Sequence, residues 1–156
     1  MTAAAPPLGQ VLETALYVDD LARAGAFYRD VLGLRPLAAD GRFHAFAAGG
    51  RNVLLLFVRD GATQTARLPG GTIPPHGFVA GGPANDAPVR ASISQHVAFA
   101  VAREHLPAWE ARLAAAGVAI EGRTDWPKGG RSIYFRDPDG HLLELATPGL
   151  WDLPDG

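Results

Sequence analysis

Cysteine is absent from all 156 residues of the chain. This absence excludes disulfides, metal sites built on thiolates and a cysteine nucleophile. The chain also lacks an excess of either charge: 14 Lys and Arg against 16 Asp and Glu give a net charge of -2, which provides no electrostatic basis for nucleic-acid binding. No apolar run is long enough to span a bilayer, and residues 1–7 lack the basic start and apolar core of a signal peptide. We therefore expect a soluble, cytoplasmic protein with neither a nucleic-acid nor a membrane partner.

The composition fits one globular domain, residues 1–156. Hydrophobic residues make up 47% of the sequence and aromatic residues 8%, which is enough for a single core. Residues 59–92 differ from the rest, because they are rich in Gly, Pro, Ala and Thr and show neither a helical nor a strand period. A loop of this length inside a compact domain is usually functional or disordered. It is either a linker or a cavity wall that carries His76.

A carboxylate among leucines is the feature that most needs an explanation. Residues 135–145 are predicted to form a strand, a tight Asp-Pro-Asp-Gly turn and a second strand. In the second strand, Leu143 and Leu145 share one face, while Glu144 lies on the other. A carboxylate that faces a protein interior needs a cation, a metal or a proton to offset its desolvation.

Two other predicted strands each begin with one ionisable residue. Residues 95–101 place His96 and small residues on one face and larger apolar residues on the other. Residues 13–18 follow the same plan, with Glu13 and Tyr17 on one face. The apolar face of each strand suits a covering helix.

These strands belong to an internal repeat. With Glu13 aligned on His96, three further pairs of segments match in the same order: 21–31 with 106–115 as helices, 41–46 with 130–135, and 53–56 with 142–145. Each copy is a strand-helix-strands unit of roughly fifty residues, a length typical of one repeated supersecondary unit. We predict an α+β fold with module one at about 10–58, the loop at 59–92 and module two at about 93–147.

The repeat also predicts which ionisable residues meet. Leu55 occupies the place that Glu144 holds in the second copy. If the strands surround a shared cavity, three ionisable residues converge there: Glu13, His96 and Glu144. The fourth corresponding position, Leu55, is apolar. Three N/O ligands with open positions are typical of catalytic metal sites. Each residue alone has a simpler interpretation: Glu13 as a surface residue, His96 as a hydrogen-bonded core histidine and Glu144 as the partner of a nearby arginine.

Four motifs resemble a known family: E-x-x-L-x-V-x-D-L from Glu13, F-Y-x-x-V-L-G-L from Phe27, H-V-A-F from His96 and F-R-D-P-D-G-H-x-x-E from Phe135. Together they cover about residues 11–147 and resemble the vicinal oxygen chelate superfamily. Its members include glyoxalase I, bleomycin-resistance proteins, extradiol dioxygenases and fosfomycin-resistance thiol transferases. The resemblance implies two paired βαβββ modules that form a curved mixed sheet around a central cavity, with the helices outside. It also implies a divalent metal at Glu13, His96 and Glu144.

The implied activity is that of a metal-dependent enzyme acting on a small substrate that chelates the metal through two oxygens. Two carboxylates and one imidazole favour one Mn²⁺, Fe²⁺, Co²⁺, Ni²⁺ or Zn²⁺ ion. Glu13 or Glu144 would leave the metal to move a proton in lyase, isomerase or dioxygenase chemistry. The alternative is a metal-free protein that sequesters a small molecule, as bleomycin-resistance proteins do. Because relatives are commonly dimers and Leu150-Trp151 is apolar, we also expect a homodimer.

Further residues are expected to contact the substrate or to belong to the core. The predicted substrate contacts are Tyr17, Phe43, Leu55, His76, Ser132 and Tyr134. Ser132 and Tyr134 match substrate-facing positions of the fosfomycin-resistance proteins, although Ala15 stands where those proteins have threonine. Residues 126–130 are either a rim of the cavity or a plain turn.

Overall fold

The computed structural model describes residues 5–77, 94–151 and 153. The first module contains β1 (Glu13–Val18), α1 (Leu21–Ala26), a π-helical turn (Phe27–Val31), β2 (Arg35–Ala39), β3 (Phe43–Ala47) and β4 (Val53–Val58). A hairpin of β5 (Ala66–Leu68) and β6 (Gly71–Ile73) follows. The second module contains β7 (His96–Ala100), a 3₁₀ turn (Arg103–His105), α2 (Leu106–Ala115), β8 (Ile120–Asp125), β9 (Arg131–Arg136) and β10 (Leu142–Ala146).

Each module forms one four-stranded mixed sheet, and the two sheets have the same topology. The strand orders are β1-β4-β3-β2 and β7-β10-β9-β8. In both sheets the first strand of the module runs parallel to the last, and the remaining pairs are antiparallel. The predicted pair of βαβββ modules is therefore confirmed.

The strand register confirms the alignment of the two copies. Glu144 pairs with Ala98 on one side and with Tyr134 on the other. Leu55 holds the same place in the first sheet, between β1 and β3. A slip of one residue would reverse every side chain in a strand, so this register fixes which residues share a face.

Local signals explain where both predicted helices start and stop. The Asp20 carboxylate caps α1 by accepting a hydrogen bond of 3.0 Å from the backbone N–H of Arg23. Gly33, with φ of 71°, follows the end of this helical segment. Pro107 lies in the first turn of α2, and Gly117, also with φ of 71°, ends that helix.

The helices cover one face of the sheets, and a single core lies between them. Its largest fully buried side chains include Tyr28, Leu16, Leu54 and Leu56 from module one and Phe135, Leu113, Ile133, Leu143 and Leu145 from module two. Strand alternation puts Glu13, His96 and Glu144 on the opposite faces, which we call the helix-free faces. Within the described ranges, no helix is long and apolar enough to cross a bilayer.

The segment predicted to lack regular structure contains the β5–β6 hairpin. Its strands have three residues each, too few to show a period, and Leu68 pairs with Gly71 across Pro69-Gly70. The expectation for 59–92 was wrong for this part, because a Pro-Gly turn signals a hairpin without periodicity. Residues 78–93 of the same segment lie outside the described residues.

Candidate functional site

His96 and Glu144 meet on the helix-free face of the second sheet. His96 opens β7, and Glu144 lies at the centre of the neighbouring strand, β10. The Nε2 atom of His96 is 3.2 Å from Oε2 of Glu144. Two of the three predicted ligands therefore come together within one chain.

The hydrogen bonding of this pair suits a cation. Nδ1 of His96 is 3.0 Å from the carbonyl oxygen of Leu142. Since a carbonyl can only accept, Nδ1 carries a proton, and the other ring nitrogen faces the carboxylate. Glu144 is 4% exposed, and its Oε1 atom is buried without a hydrogen-bond partner in the described parts of the chain. Such a carboxylate needs a positive charge nearby, either an imidazolium or a bound cation.

The distances also fit a divalent metal. Two N/O ligands that each lie ~2.1 Å from one ion are ~3.0–3.4 Å apart. The observed separation of 3.2 Å falls in that range. A metal-bound histidine commonly donates its other ring N–H to a backbone carbonyl, as His96 does here. This pair therefore has the separation that two ligands of one ion would have, which is also the separation of a hydrogen bond.

Glu13 is not part of this pair. It lies exposed at the start of β1. Within residues 5–77 and 94–151, no group of three or more His, Asp or Glu side chains could hold a metal ion. A three-residue metal site therefore stays a prediction, and one chain supplies only two of its members side by side.

An aromatic cluster occupies the helix-free face of the first sheet. The Tyr17 hydroxyl lies 2.5 Å from Nδ1 of His76, and the His76 and Phe57 rings meet edge to face at 4.7 Å. Phe57 also contacts the rings of Tyr17, at 6.1 Å, and Phe43, at 5.7 Å. Burial raises the pKa of the Tyr17 phenol, which therefore stays neutral at physiological pH. Three of the predicted substrate contacts thus lie together, and Leu55 lies on the same face.

The two predicted substrate contacts in module two differ in accessibility. Ser132 is fully buried, and its Oγ atom accepts a 2.9 Å hydrogen bond from Nε1 of Trp126. Tyr134 is half-buried and lies directly across from Glu144. A ligand on this face would meet Tyr134 and Trp126 before it reached Ser132.

Gln95 and His141 connect the two modules, a role that the sequence did not reveal. The Gln95 side-chain carbonyl accepts from the backbone N–H of Tyr17 at 3.0 Å, and its amide donates to the Ala15 carbonyl at 3.1 Å. The His141 ring lies 2.7 Å from the Tyr17 carbonyl. Among the described residues, the edge of β1 is therefore bound by side chains from the second module rather than by another strand.

The Asp-Pro-Asp-Gly turn also joins the modules and is more than a local turn. Asp137 accepts 2.9 Å hydrogen bonds from the backbone N–H groups of Asp139 and His141, and a 2.7 Å hydrogen bond from the Tyr28 hydroxyl. Burial and the Asp137 carboxylate raise the pKa of Tyr28 far above its ordinary value. Asp139 accepts from the backbone N–H of Asp19 at 2.8 Å. The motif signalled a turn, but its long-range partners could not be read from local sequence.

Comparisons with known proteins agree with this architecture. The family model described as Glyoxalase/Bleomycin resistance protein/Dioxygenase superfamily matches residues 10–145. The metallothiol transferase FosB of Staphylococcus saprophyticus is 30% identical over 139 residues, which are 88% of this chain and 76% of that protein. FosB of Bacillus licheniformis is 45% identical over 58 residues, or 36% of this chain, and the match spans only 38% of that relative's length.

A solved structure matches the whole fold. The crystal structure of a lactoylglutathione lyase from Agrobacterium tumefaciens has 33% sequence identity and a TM-score of 0.77. The match covers 95% of this chain and all of that one. The chain belongs to the glyoxalase, bleomycin-resistance and dioxygenase superfamily.

Proposed function

We propose that the protein is a divalent-metal-dependent enzyme whose substrate is a small molecule that chelates the metal through two oxygens. The observation that carries the proposal is the His96–Glu144 pair, with its 3.2 Å separation and an Oε1 atom of Glu144 that has no partner among the described residues. A binding protein that recognised its ligand by shape alone would have no use for a buried carboxylate in this state.

The third ligand in this proposal is Glu13 from a second copy of the chain. Glu13 is exposed on β1, and it does not join the other two ligands within one chain. Ala98 and Ala100 on the helix-free face of β7, beside His96, are also exposed. A homodimer that brings the helix-free face of module one onto that of module two would complete the site and cover this surface.

The roles of the residues follow from their surroundings. When bound, a divalent ion would stabilise negative charge on the substrate oxygens as a Lewis acid. The hydrogen bond to Leu142 holds the His96 ring so that Nε2 faces the site. Glu144 has a carboxylate oxygen without a hydrogen-bond partner in the part of the chain that the structure describes, so it could accept a proton from a carbon or oxygen of the substrate. Tyr134, across from Glu144, would limit the access of water.

The ligand set favours proton-transfer or addition chemistry. One histidine and two carboxylates differ from the two-histidine, one-carboxylate set of non-haem iron oxygenases. Relatives whose names state an activity include a lactoylglutathione lyase and metallothiol transferases. We therefore favour lyase, isomerase or transferase chemistry over dioxygenase chemistry for this chain.

Calorimetry tests the proposal. Protein purified without a histidine tag is titrated with Mn²⁺, Fe²⁺, Co²⁺, Ni²⁺ and Zn²⁺, and we expect one of them to bind tightly. His96→Ala and Glu144→Gln should abolish that binding, whereas His105→Ala, which removes an exposed histidine outside the site, should leave it unchanged. If no ion binds to the wild type, or if all three variants behave alike, the metal-dependent function is wrong and the metal-free binding protein becomes the better explanation.

A further inference from the structure

Trp126 lies against the helix-free face of the second sheet. It directly follows β8, and its indole N–H donates to the hydroxyl of Ser132 on β9 at 2.9 Å. Ser132 is fully buried, whereas Trp126 remains partly exposed. The indole is therefore fixed to the sheet at one edge and still presents part of its surface to a ligand.

This indole lies close to the proposed metal ligands. Ser132 pairs with Ala146, and the next residue on the same face, Tyr134, pairs with Glu144. Alternate residues of a strand are ~7 Å apart, so Trp126 is anchored about one residue pair away from Glu144. A group attached next to the chelating oxygens of a bound substrate would fall within this distance.

Hydrogen bonds within the turn and from Arg103 fix the turn that carries Trp126. Within it, the backbone N–H of Trp126 donates to the carbonyl of Gly130 at 2.8 Å, and the backbone N–H of Gly129 donates to the carbonyl of Trp126 at 2.9 Å. The Arg103 guanidinium donates to the carbonyls of Gly129, at 2.7 Å, and Pro148, at 3.2 Å. These bonds keep the indole in one position, which lowers the entropy lost when a ligand packs against it.

The backbone approaches itself closely behind this turn. A Cβ atom on Gly130 would lie 2.7 Å from the carbonyl carbon of Gly149, and a Cβ on Gly149 would lie 2.6 Å from the Gly130 nitrogen. Both positions therefore exclude any larger residue. The turn between β8 and β9 is a fixed wall of the site rather than a loose rim.

We infer that Trp126 determines substrate specificity, selecting substrates in which the chelating oxygens carry a flat apolar substituent over those with a small one. The inference rests on the proposed metal-dependent function. A flat ring can bury its face against the indole, and aromatic pairs gain more than their area burial alone provides. A methyl group in the same place covers little of the indole surface.

Two simple acids test the inference directly. Lactate and mandelate offer the same vicinal hydroxyl and carboxylate oxygens, and they differ only in a methyl or a phenyl substituent. Protein loaded with the divalent ion that binds most tightly in the preceding titration is titrated with each acid by calorimetry and by tryptophan fluorescence. We expect mandelate to bind roughly tenfold more tightly than lactate.

Matched substitutions assign this preference to Trp126. Trp126→Phe keeps a flat ring and should retain most of the preference, whereas Trp126→Leu keeps an apolar side chain without a ring and should reduce it to about twofold or less. Affinity for that divalent ion should stay the same in both variants, because neither substitution changes a proposed ligand. Trp151→Ala, which removes an indole that is 73% exposed, controls for the fluorescence signal.

The outcomes separate the two proposals. If a divalent ion binds but the wild type holds both acids equally, or if Trp126→Leu keeps the full preference, the role of Trp126 is wrong and the metal site stands. If none of the divalent ions binds in the preceding titration, the proposed function fails and the role of Trp126 fails with it.

Discussion

The ring of His141 connects the second module to the backbone of Tyr17 in the first. Its Nδ1 atom accepts a 3.1 Å hydrogen bond from the backbone N–H of Gln95, so the proton of the neutral ring is on Nε2. That nitrogen donates to the Tyr17 carbonyl at 2.7 Å. Because the residue is 1% exposed, water cannot replace the ring without a local rearrangement. The ring therefore helps to fix the relative position of the two sheets, together with Gln95.

Removing the His141 ring should destabilise the fold. His141→Ala breaks both hydrogen bonds and leaves a buried cavity, so we expect the free energy of unfolding to fall by about 2–4 kcal/mol. Urea denaturation followed by circular dichroism measures the change. His105→Ala, at an exposed position, should change stability by less than about 0.5 kcal/mol. Equal urea midpoints for the two variants would show that the ring does not hold the modules together.

Tyr28 should make the protein sensitive to alkali. Burial and Asp137 raise the pKa of its phenol in the folded state, whereas the unfolded state keeps the ordinary value of 10.0. A raised folded pKa stabilises the protein fully below pH 10, and this contribution is lost as the pH rises above that value. We expect a loss of up to about 1.4 kcal/mol per pH unit from this residue.

Comparison with a phenylalanine variant isolates this contribution. Tyr28→Phe lowers stability at pH 7, because it leaves a buried oxygen of Asp137 without its donor, at a cost of about 1–3 kcal/mol. Above pH 10 its stability should fall less steeply than that of the wild type. Parallel stability curves for the two proteins between pH 9 and 11 would contradict the assignment.

Much of the fold could be predicted because its signals are local. Strand alternation and the glycines that end the helices gave both modules, and the spacing between the copies gave the correct register of Leu55 and Glu144. The β5–β6 hairpin was missed because three-residue strands carry no period. Local patterns therefore identified six strands and both helices, whereas β2 and β8 were expected only from the family resemblance.

The contacts that join distant parts of the chain could not be predicted from sequence. Tyr28 and Asp137 are 109 residues apart, and nothing near either one indicates the other. Trp126 is only six residues from Ser132, but its hydrogen bond depends on how the intervening turn folds back. The His96–Glu144 contact was within reach because strand alternation put both residues on the face turned away from the helix. The same argument placed Glu13 in the predicted metal site. It does not indicate whether Glu13 comes from the same chain as His96 and Glu144 or from a second copy.

Leu55→Glu should strengthen metal binding. Leu55 holds the position in the first sheet that Glu144 holds in the second, so a carboxylate there would supply a fourth ligand on the same face as Glu13. We expect metal affinity to rise on the order of tenfold, measured by competition with a chelator of known affinity. Leu55→Gln is the uncharged control and should give a smaller gain. Unchanged affinity in Leu55→Glu would indicate that this face does not turn toward the metal.

Mixing two inactive variants should restore metal sites. If Glu13 from one copy joins His96 and Glu144 from another, then Glu13→Ala and His96→Ala each destroy every site in their own dimers. In a mixed dimer, one site contains both substitutions, while the other receives Glu13 from the His96→Ala chain and His96 from the Glu13→Ala chain. After random exchange in a 1:1 mixture, about a quarter of the wild-type sites should reappear. Calorimetry counts these sites, and light scattering at micromolar concentration confirms that the species present are dimers. A mixture that binds no more metal than its separate components would show that each site is built within a single chain.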